Sequence, residues 1–211
     1  MSSLIFYTDA NQALVAIDTL AVKPDGRANM FCSKAVHLPH LRTIIAGTGL
    51  GGFSNDWANE VNNRFAVKGI LNLDYHTPDA LRKRWIEVTS SDDFPTGLTT
   101  TVYQIGVSED DEEICAFAYR SANNFISEPL QHATRAKPEC TIVHSENFVE
   151  DVRQMMMEQK KIQDAKPSAE RIYIGGECIL MRLDKNSFMA ATAFQFNDYE
   201  KHLQEMYSSF S

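Results

Sequence analysis

Leu4-Ile5-Phe6-Tyr7, then Asp9-Ala10-Asn11-Gln12, then Ala13-Leu14-Val15-Ala16-Ile17-Asp18: these three pieces decide how the chain is read. Two short apolar runs flank a tetrapeptide in which Asn11 suits a turn conformation, the pattern of a β-hairpin. Ser2 stands directly before the first run and Asp18 ends the second. Lys34 follows in Phe31-Cys32-Ser33-Lys34. With Met1 removed, Ser2 carries a hydroxyl and a free α-amine on one residue. A hydroxyl beside its own amine is a nucleophile that brings its own base. A buried Lys34–Asp18 pair beside it would supply the positive charge that such a site needs.

Outward from that stretch, Val22-Lys23-Pro24-Asp25-Gly26-Arg27 is turn chemistry. Residues 30–37 and 42–47 read as a second strand pair joined through His37-Leu38-Pro39-His40, so an antiparallel sheet is expected. Helix signals begin at Phe53-Ser54-Asn55-Asp56, with Trp57, Val61 and Phe65 at helical spacing. Thr77-Pro78-Asp79 predicts a second helix start, a hydroxyl before proline at the first helical position. That helix runs through Leu81, Trp85 and Val88 and closes at Ser90-Ser91-Asp92-Asp93. Strands over 99–107 and 114–119 flank the acidic loop Glu109–Glu113, and a short strand is expected near Phe125-Ile126. Residues 129–140 show no regular pattern. A helix is predicted over 145–162, with Phe148, Val152 and Met155 on one face and Met155-Met156-Met157 as core filler plus one exposed methionine. Strands over 172–183 and 187–196 are joined by Asp184-Lys185-Asn186, with Gly175-Gly176 marking a bulge. Residues 198–208 form a short amphipathic helix. Strands interrupted by helices predict an α+β fold, two sheets with helices packed outside them, in one domain over 1–211.

The first 66 residues resemble the proteasome β-subunit family of N-terminal-nucleophile hydrolases, above all its bacterial proteasome-like peptidases, including the ancestral β-subunit group. In that family an aspartate follows the nucleophile by 16 residues and a lysine by 32; Asp18 and Lys34 stand at those spacings from Ser2. Leu14-Val15-Ala16-Ile17-Asp18-Thr19-Leu20-Ala21 is similar to the family's strand ending in Ala-x-Asp-x-x-Ala. Thr43-Ile44-Ile45-Ala46-Gly47-Thr48-Gly49-Leu50-Gly51-Gly52 is similar to its strand running into a glycine-rich turn and a helix. The resemblance implies a four-layer αββα sandwich. It implies Ser2 as nucleophile and Lys34 as the charge that keeps the amine unprotonated and stabilises the forming alkoxide, with Asp18 holding Lys34 in place. A free α-amine ionises at about pH 7.7–8.0, close to where a general base is most useful. The family's oxyanion donor is a glycine N–H; Gly49 is the best match, with Gly47 and Gly51 beside it. A serine before the family's third helix supports the amine; Ser145 is the candidate, with Ser127 the alternative, and Ser145 serves equally as a plain N-cap. The chain departs from the family in having serine where most proteolytic members have threonine. Serine lacks the β-methyl that fixes χ1, so slower turnover is expected. The family's remaining aspartate near the amine has no match here.

Across its 211 residues the chain is 44% hydrophobic and 23% charged, with a net charge of −8, the make-up of a globular domain with a substantial core. There is no basic stripe for nucleic acid or an anionic membrane, no apolar run of about 20 residues, and no signal-peptide pattern at the N-terminus. Cys32, Cys115, Cys140 and Cys178 show no metal-ligand spacing and read as reduced cysteines of a cytoplasmic protein. Cys32, two residues before Lys34, reads as a small packed side chain. No cofactor or metal is expected. The leading reading is an N-terminal serine hydrolase acting on peptides or unfolded protein and self-associated into a ring. Its alternatives are a non-catalytic assembly protein of the same fold and a small-molecule amidase of the same superfamily. The sequence identifies no regulatory ATPase.

Overall fold

Residues two apart on a strand point the same way, and the strands here carry apolar side chains on both faces. The computed structural model describes residues 2–64, 67–90, 94 and 97–208. Strands β1 (Leu4–Thr8) and β2 (Gln12–Asp18) form the expected hairpin. They lie in a five-stranded antiparallel sheet with β10 (Thr134–Lys137), β11 (Glu177–Asp184) and β12 (Phe188–Gln195), in the order β10-β1-β2-β11-β12. A second five-stranded antiparallel sheet has the order β5-β6-β7-β8-β9: β5 (Ala35–Leu38), β6 (Thr43–Thr48), β7 (Thr101–Val107), β8 (Ile114–Arg120) and β9 (Ser127–Pro129). A small ribbon pairs β3 (Leu20–Val22) with β4 (Ala28–Phe31).

The alternation sorts the core. Leu4, Phe6, Val15 and Ile17 of the first sheet share one buried cluster with Ile44, Ala46, Tyr103 and Ile105 of the second. The opposite-facing Ile5 and Ala16 cluster with Val152, Met155 and Met156 of helix α3 (Phe148–Asp164). The opposite-facing Ile45, Val102, Phe117 and Tyr119 cluster with Phe53, Trp57 and Val61 of α1 (Phe53–Arg64) and with Ile70, Leu73 and Leu81 of α2 (Ile70–Thr89). Met206 of α4 (Tyr199–Ser208) packs on Leu20 and Ala28 of the ribbon. The fold is α+β, with antiparallel sheets and four helices among the described residues.

Four expectations need correction. First, the strand read over 30–37 is two strands, β4 and β5, separated by Cys32-Ser33-Lys34. Second, α2 begins at Ile70, not at Thr77, and Pro78 lies inside it. Pro78 lacks the N–H that would bond Asp74 O; beside it the Thr77 hydroxyl donates to Leu73 O at 2.8 Å and accepts from Gln104 Nε2 at 2.8 Å. Its N-terminus is held from a distance, since Glu109 accepts from Leu71 N at 2.9 Å and from Asn72 N at 2.7 Å. Third, the irregular stretch 129–140 contains β10, whose polar sequence hides an edge strand paired to β1. The short strand expected at 125–126 starts at Ser127. Fourth, β11 starts at Glu177, after Gly175-Gly176. Gly176 has φ +76°, and a Cβ there would lie 2.4 Å from Thr19 Oγ1, so these glycines permit a close backbone approach; the register shift itself falls between Cys178 and Ile179. Met1, Phe65, Ser91, Asp92 and Asp93 lie outside the described residues.

Burial works against ionisation of Glu109, but the two backbone N–H bonds outweigh it and hold its carboxyl below the ordinary range. A lowered folded-state value means the stabilisation is complete above the ordinary glutamate range and disappears as pH falls through the lowered value. Glu109→Ala should therefore destabilise the protein by about 1 kcal/mol at neutral pH. Denaturant unfolding should show that difference shrinking under acid; a difference unchanged with pH would rule out the carboxylate as its source.

Candidate active site

The β1–β2 hairpin brings Ser2 and Ser3 alongside the end of β2. Ser3 N–H donates to Asp18 Oδ1 at 2.9 Å, and Asp18 N–H donates back to Ser3 O at 3.1 Å. Asp18 is 0% exposed. Lys34, from the connection between β4 and β5, donates to Asp18 Oδ1 at 3.0 Å and Oδ2 at 2.9 Å, and to Leu20 O at 2.6 Å. Gly175 N–H donates to Asp18 Oδ2 at 3.3 Å. The carboxylate thus accepts four hydrogen bonds, which is what makes a fully buried charge tolerable. Opposite Asp18 in the sheet, Cys178 has its thiol pushed up to about 12, by burial first and then by the Asp18 charge, so it stays protonated.

Ser2 is 7% exposed. It lines a cavity of about 40 Å³ with Thr48, Gly49, Thr99, Thr100, Thr101, Lys137 and Ile172. Gly49 has φ +103°, a conformation that favours glycine, and a Cβ there would meet Thr99 O at 2.1 Å. The turn after β6 therefore brings this glycine's backbone against the start of β7. Gly47 instead faces Ser54, and Gly51 faces open space; neither lines the cavity. Thr100 donates to Thr48 O at 3.1 Å, closing that wall.

Ser145 is not brought to this cavity. It is exposed, and its bonds among the described residues stay local: Ser145 N–H donates to Asp151 Oδ2 at 2.7 Å, and its hydroxyl accepts from Asn147 N at 3.1 Å. The cap of α3 is Asn147, whose side chain accepts from Glu150 N at 3.3 Å. Ser127 donates to Asp74 Oδ1 at 2.5 Å, on the α2 side of the second sheet. Neither serine stands beside Ser2 among the cavity residues.

The sequence reading missed Lys137, Gln159 and Gly175. Lys137 ends β10 and reaches Thr101 Oγ1 at 3.1 Å. Gln159 of α3 is fully buried; it accepts from Ser3 Oγ and donates to Pro138 O, tying the N-terminal segment to the one that carries Lys137. The Gly175-Gly176 dipeptide was the only local signal for any of the three. Among the described residues no group of His, Cys, Asp and Glu is placed to hold a metal ion.

No family model and no curated protein matches the chain. Among solved structures it is similar to the Anbu (Gly-1) mutant from Hyphomicrobium sp. strain MC1, with a TM-score of 0.60 and 12% identity, over 100% of this chain and 94% of that one. The likeness is one of fold.

Two substitutions probe this geometry. Asp18→Asn leaves the Lys34 charge, with 12% of its side chain exposed, without a counter-ion and should cost about 3–5 kcal/mol in unfolding free energy. Gly49→Ala should destabilise through the clash with the Thr99 carbonyl. Wild-type thermal stability in the second variant would mean that the turn is not held as described.

Proposed function

We propose that this protein is a proteasome-like N-terminal-nucleophile hydrolase, a peptidase or amidohydrolase, in which Ser2 acts once Met1 is removed. The observation that carries the reading is the Asp18 carboxylate: one buried group accepts from Lys34 and from the backbone N–H next to Ser2. The spacing that singled out Asp18 and Lys34 in the sequence thus corresponds to a physical cluster. The core supports a four-layer αββα arrangement in a single domain, because separate clusters join α1 and α2 to one sheet, sheet to sheet, and the other sheet to α3.

In this mechanism the Ser2 amine takes the hydroxyl proton as Oγ attacks the scissile carbonyl carbon. Nearby positive charge from Lys34 disfavours protonation of the amine and so keeps it available as a base. The Gly49 N–H stabilises the oxyanion. The amine returns the proton to the leaving nitrogen, and the acyl–serine ester is hydrolysed by water. Water occupies roughly 10–15 Å³ of such a cavity, so it fits beside Ser2 while the substrate chain lies across the mouth. Self-association into a ring would enclose such sites, with a peptide or unfolded protein as substrate. Among the described residues no helix is long and apolar enough to cross a membrane.

One observation favours a second reading, a non-catalytic protein that uses the fold for assembly. The three Lys34 N–H groups are committed to Asp18 and Leu20 O, leaving none for the Ser2 hydroxyl.

Intact mass, probe labelling and peptide hydrolysis separate the two. The hydrolase loses Met1, is labelled at Ser2 by a serine-reactive electrophile, and loses at least about 10³-fold in hydrolysis in Ser2→Ala with its oligomeric mass unchanged. Retained Met1 with no labelling would establish the assembly reading instead.

A further inference from the structure

Lys137 is the one cationic side chain among the described residues that line the Ser2 cavity. It sits at the end of the edge strand β10, opposite Leu4 of β1, so the strand register places it beside the N-terminal segment. One of its N–H groups is spent on Thr101 Oγ1 at 3.1 Å. An ammonium has three donors, and no ion pair of Lys137 exists among the described residues. The acidic side chain acting on it, Glu128, is held by Arg120 at 3.0 Å. Lys137 is exposed at the end of its strand, yet partial desolvation of its ammonium first, and then the Arg120 charge, lower its pKa below the ordinary lysine value; an anion placed there would offset both. The surrounding wall is hydroxyl-rich, from Thr48, Thr99, Thr100 and Thr101. A positive charge against hydroxyls in a chain of net charge −8 is a local reversal of sign. Ser2 lines the same cavity.

We propose that Lys137 is the specificity-determining residue of this site and binds a carboxylate of the substrate, an acidic side chain or a free acid close to the bond that Ser2 attacks. The proposal rests on the hydrolase reading for its catalytic consequence, but the carboxylate site itself does not require turnover. Gln159 bonds both to Ser3 and to Pro138, the residue after Lys137, so one buried side chain ties together the two segments that carry the cation and the nucleophile.

The test uses the full chain with Met1 removed and two fluorogenic peptides differing only in Glu or Gln beside the scissile bond. Wild type should hydrolyse the Glu peptide with a kcat/KM about tenfold higher, the size of one charge-assisted hydrogen bond. Lys137→Met should erase that preference, so that the ratio of kcat/KM for the two peptides no longer favours Glu, and Lys137→Arg should retain part of it. A preference for Glu that persists in Lys137→Met overturns the proposal. Independently of catalysis, millimolar glutarate should raise the melting temperature of Ser2→Ala and not of Ser2→Ala/Lys137→Met. Absence of any glutarate effect in Ser2→Ala overturns the carboxylate site. A glutarate effect without hydrolysis of either peptide by wild type upholds that site and counts against the hydrolase reading alone.

Discussion

The Asp18 carboxylate is the point on which the rest of the site depends. It accepts from Ser3 N, twice from Lys34 Nζ, and from Gly175 N, and it is wholly buried. Four separate pieces of chain meet there: the N-terminal segment, the end of β2, the β4–β5 connection and the loop before β11. Removing a carboxylate and an ammonium from water costs several kcal/mol for each ion, and their attraction roughly offsets that cost. The pair therefore adds little net stability. Its consequence is positional: each of the four segments must approach to within hydrogen-bond distance, and once there they place Ser2 against the Gly49 turn.

Such a cluster can be held only if the framework around it does not move. The inter-sheet cluster of Leu4, Val15, Ile17, Ala46 and Tyr103 and the α3 cluster of Ile5, Ala16 and Met155 bury both faces of β1 and β2. A one-residue slip of β1 against β2 would turn Leu4 and Phe6 away from the second sheet and carry Ser3 off Asp18. The register that fills the core and the register that forms the site are thus the same. The buried Gln159 side chain adds a polar tie from α3 to Ser3, where an apolar residue would take away the partner of one donor, the Ser3 hydroxyl, and of one acceptor, Pro138 O.

The parts legible in the sequence are those where a local pattern and a tertiary role coincide. The hairpin at β1–β2, the pairing of β7 with β8 and the buried stripe of Trp57 and Val61 all follow from period and turn chemistry alone. Asp18 and Lys34 stood out by spacing, and they do meet. Ser145 stood out as a serine ahead of a helix, but the cap went to Asn147, because a side chain two positions on reaches Glu150 N directly. The start of α2 was displaced because Thr77-Pro78 carries a local start signal, whereas the true start is held by Glu109, distant in sequence, and needs no local signal. β10 was missed because Thr134-Arg135-Ala136-Lys137 is an edge strand whose order comes from pairing with β1, not from burial of its own side chains.

By itself the sequence determined the α+β class and most of the strands and helices, because these rest on periodicity along one chain, and it offered Ser2, Asp18 and Lys34 as candidates through the resemblance of their intervals to those of a known family. The tertiary structure decided which glycine faces Ser2, that Ser145 and Ser127 do not, and that Lys137 and Gln159 do belong to this region. Those are questions of which distant segments come within a few ångströms of one another, and that is set by sheet pairing and by the shared burial of apolar faces, which no interval in the sequence encodes.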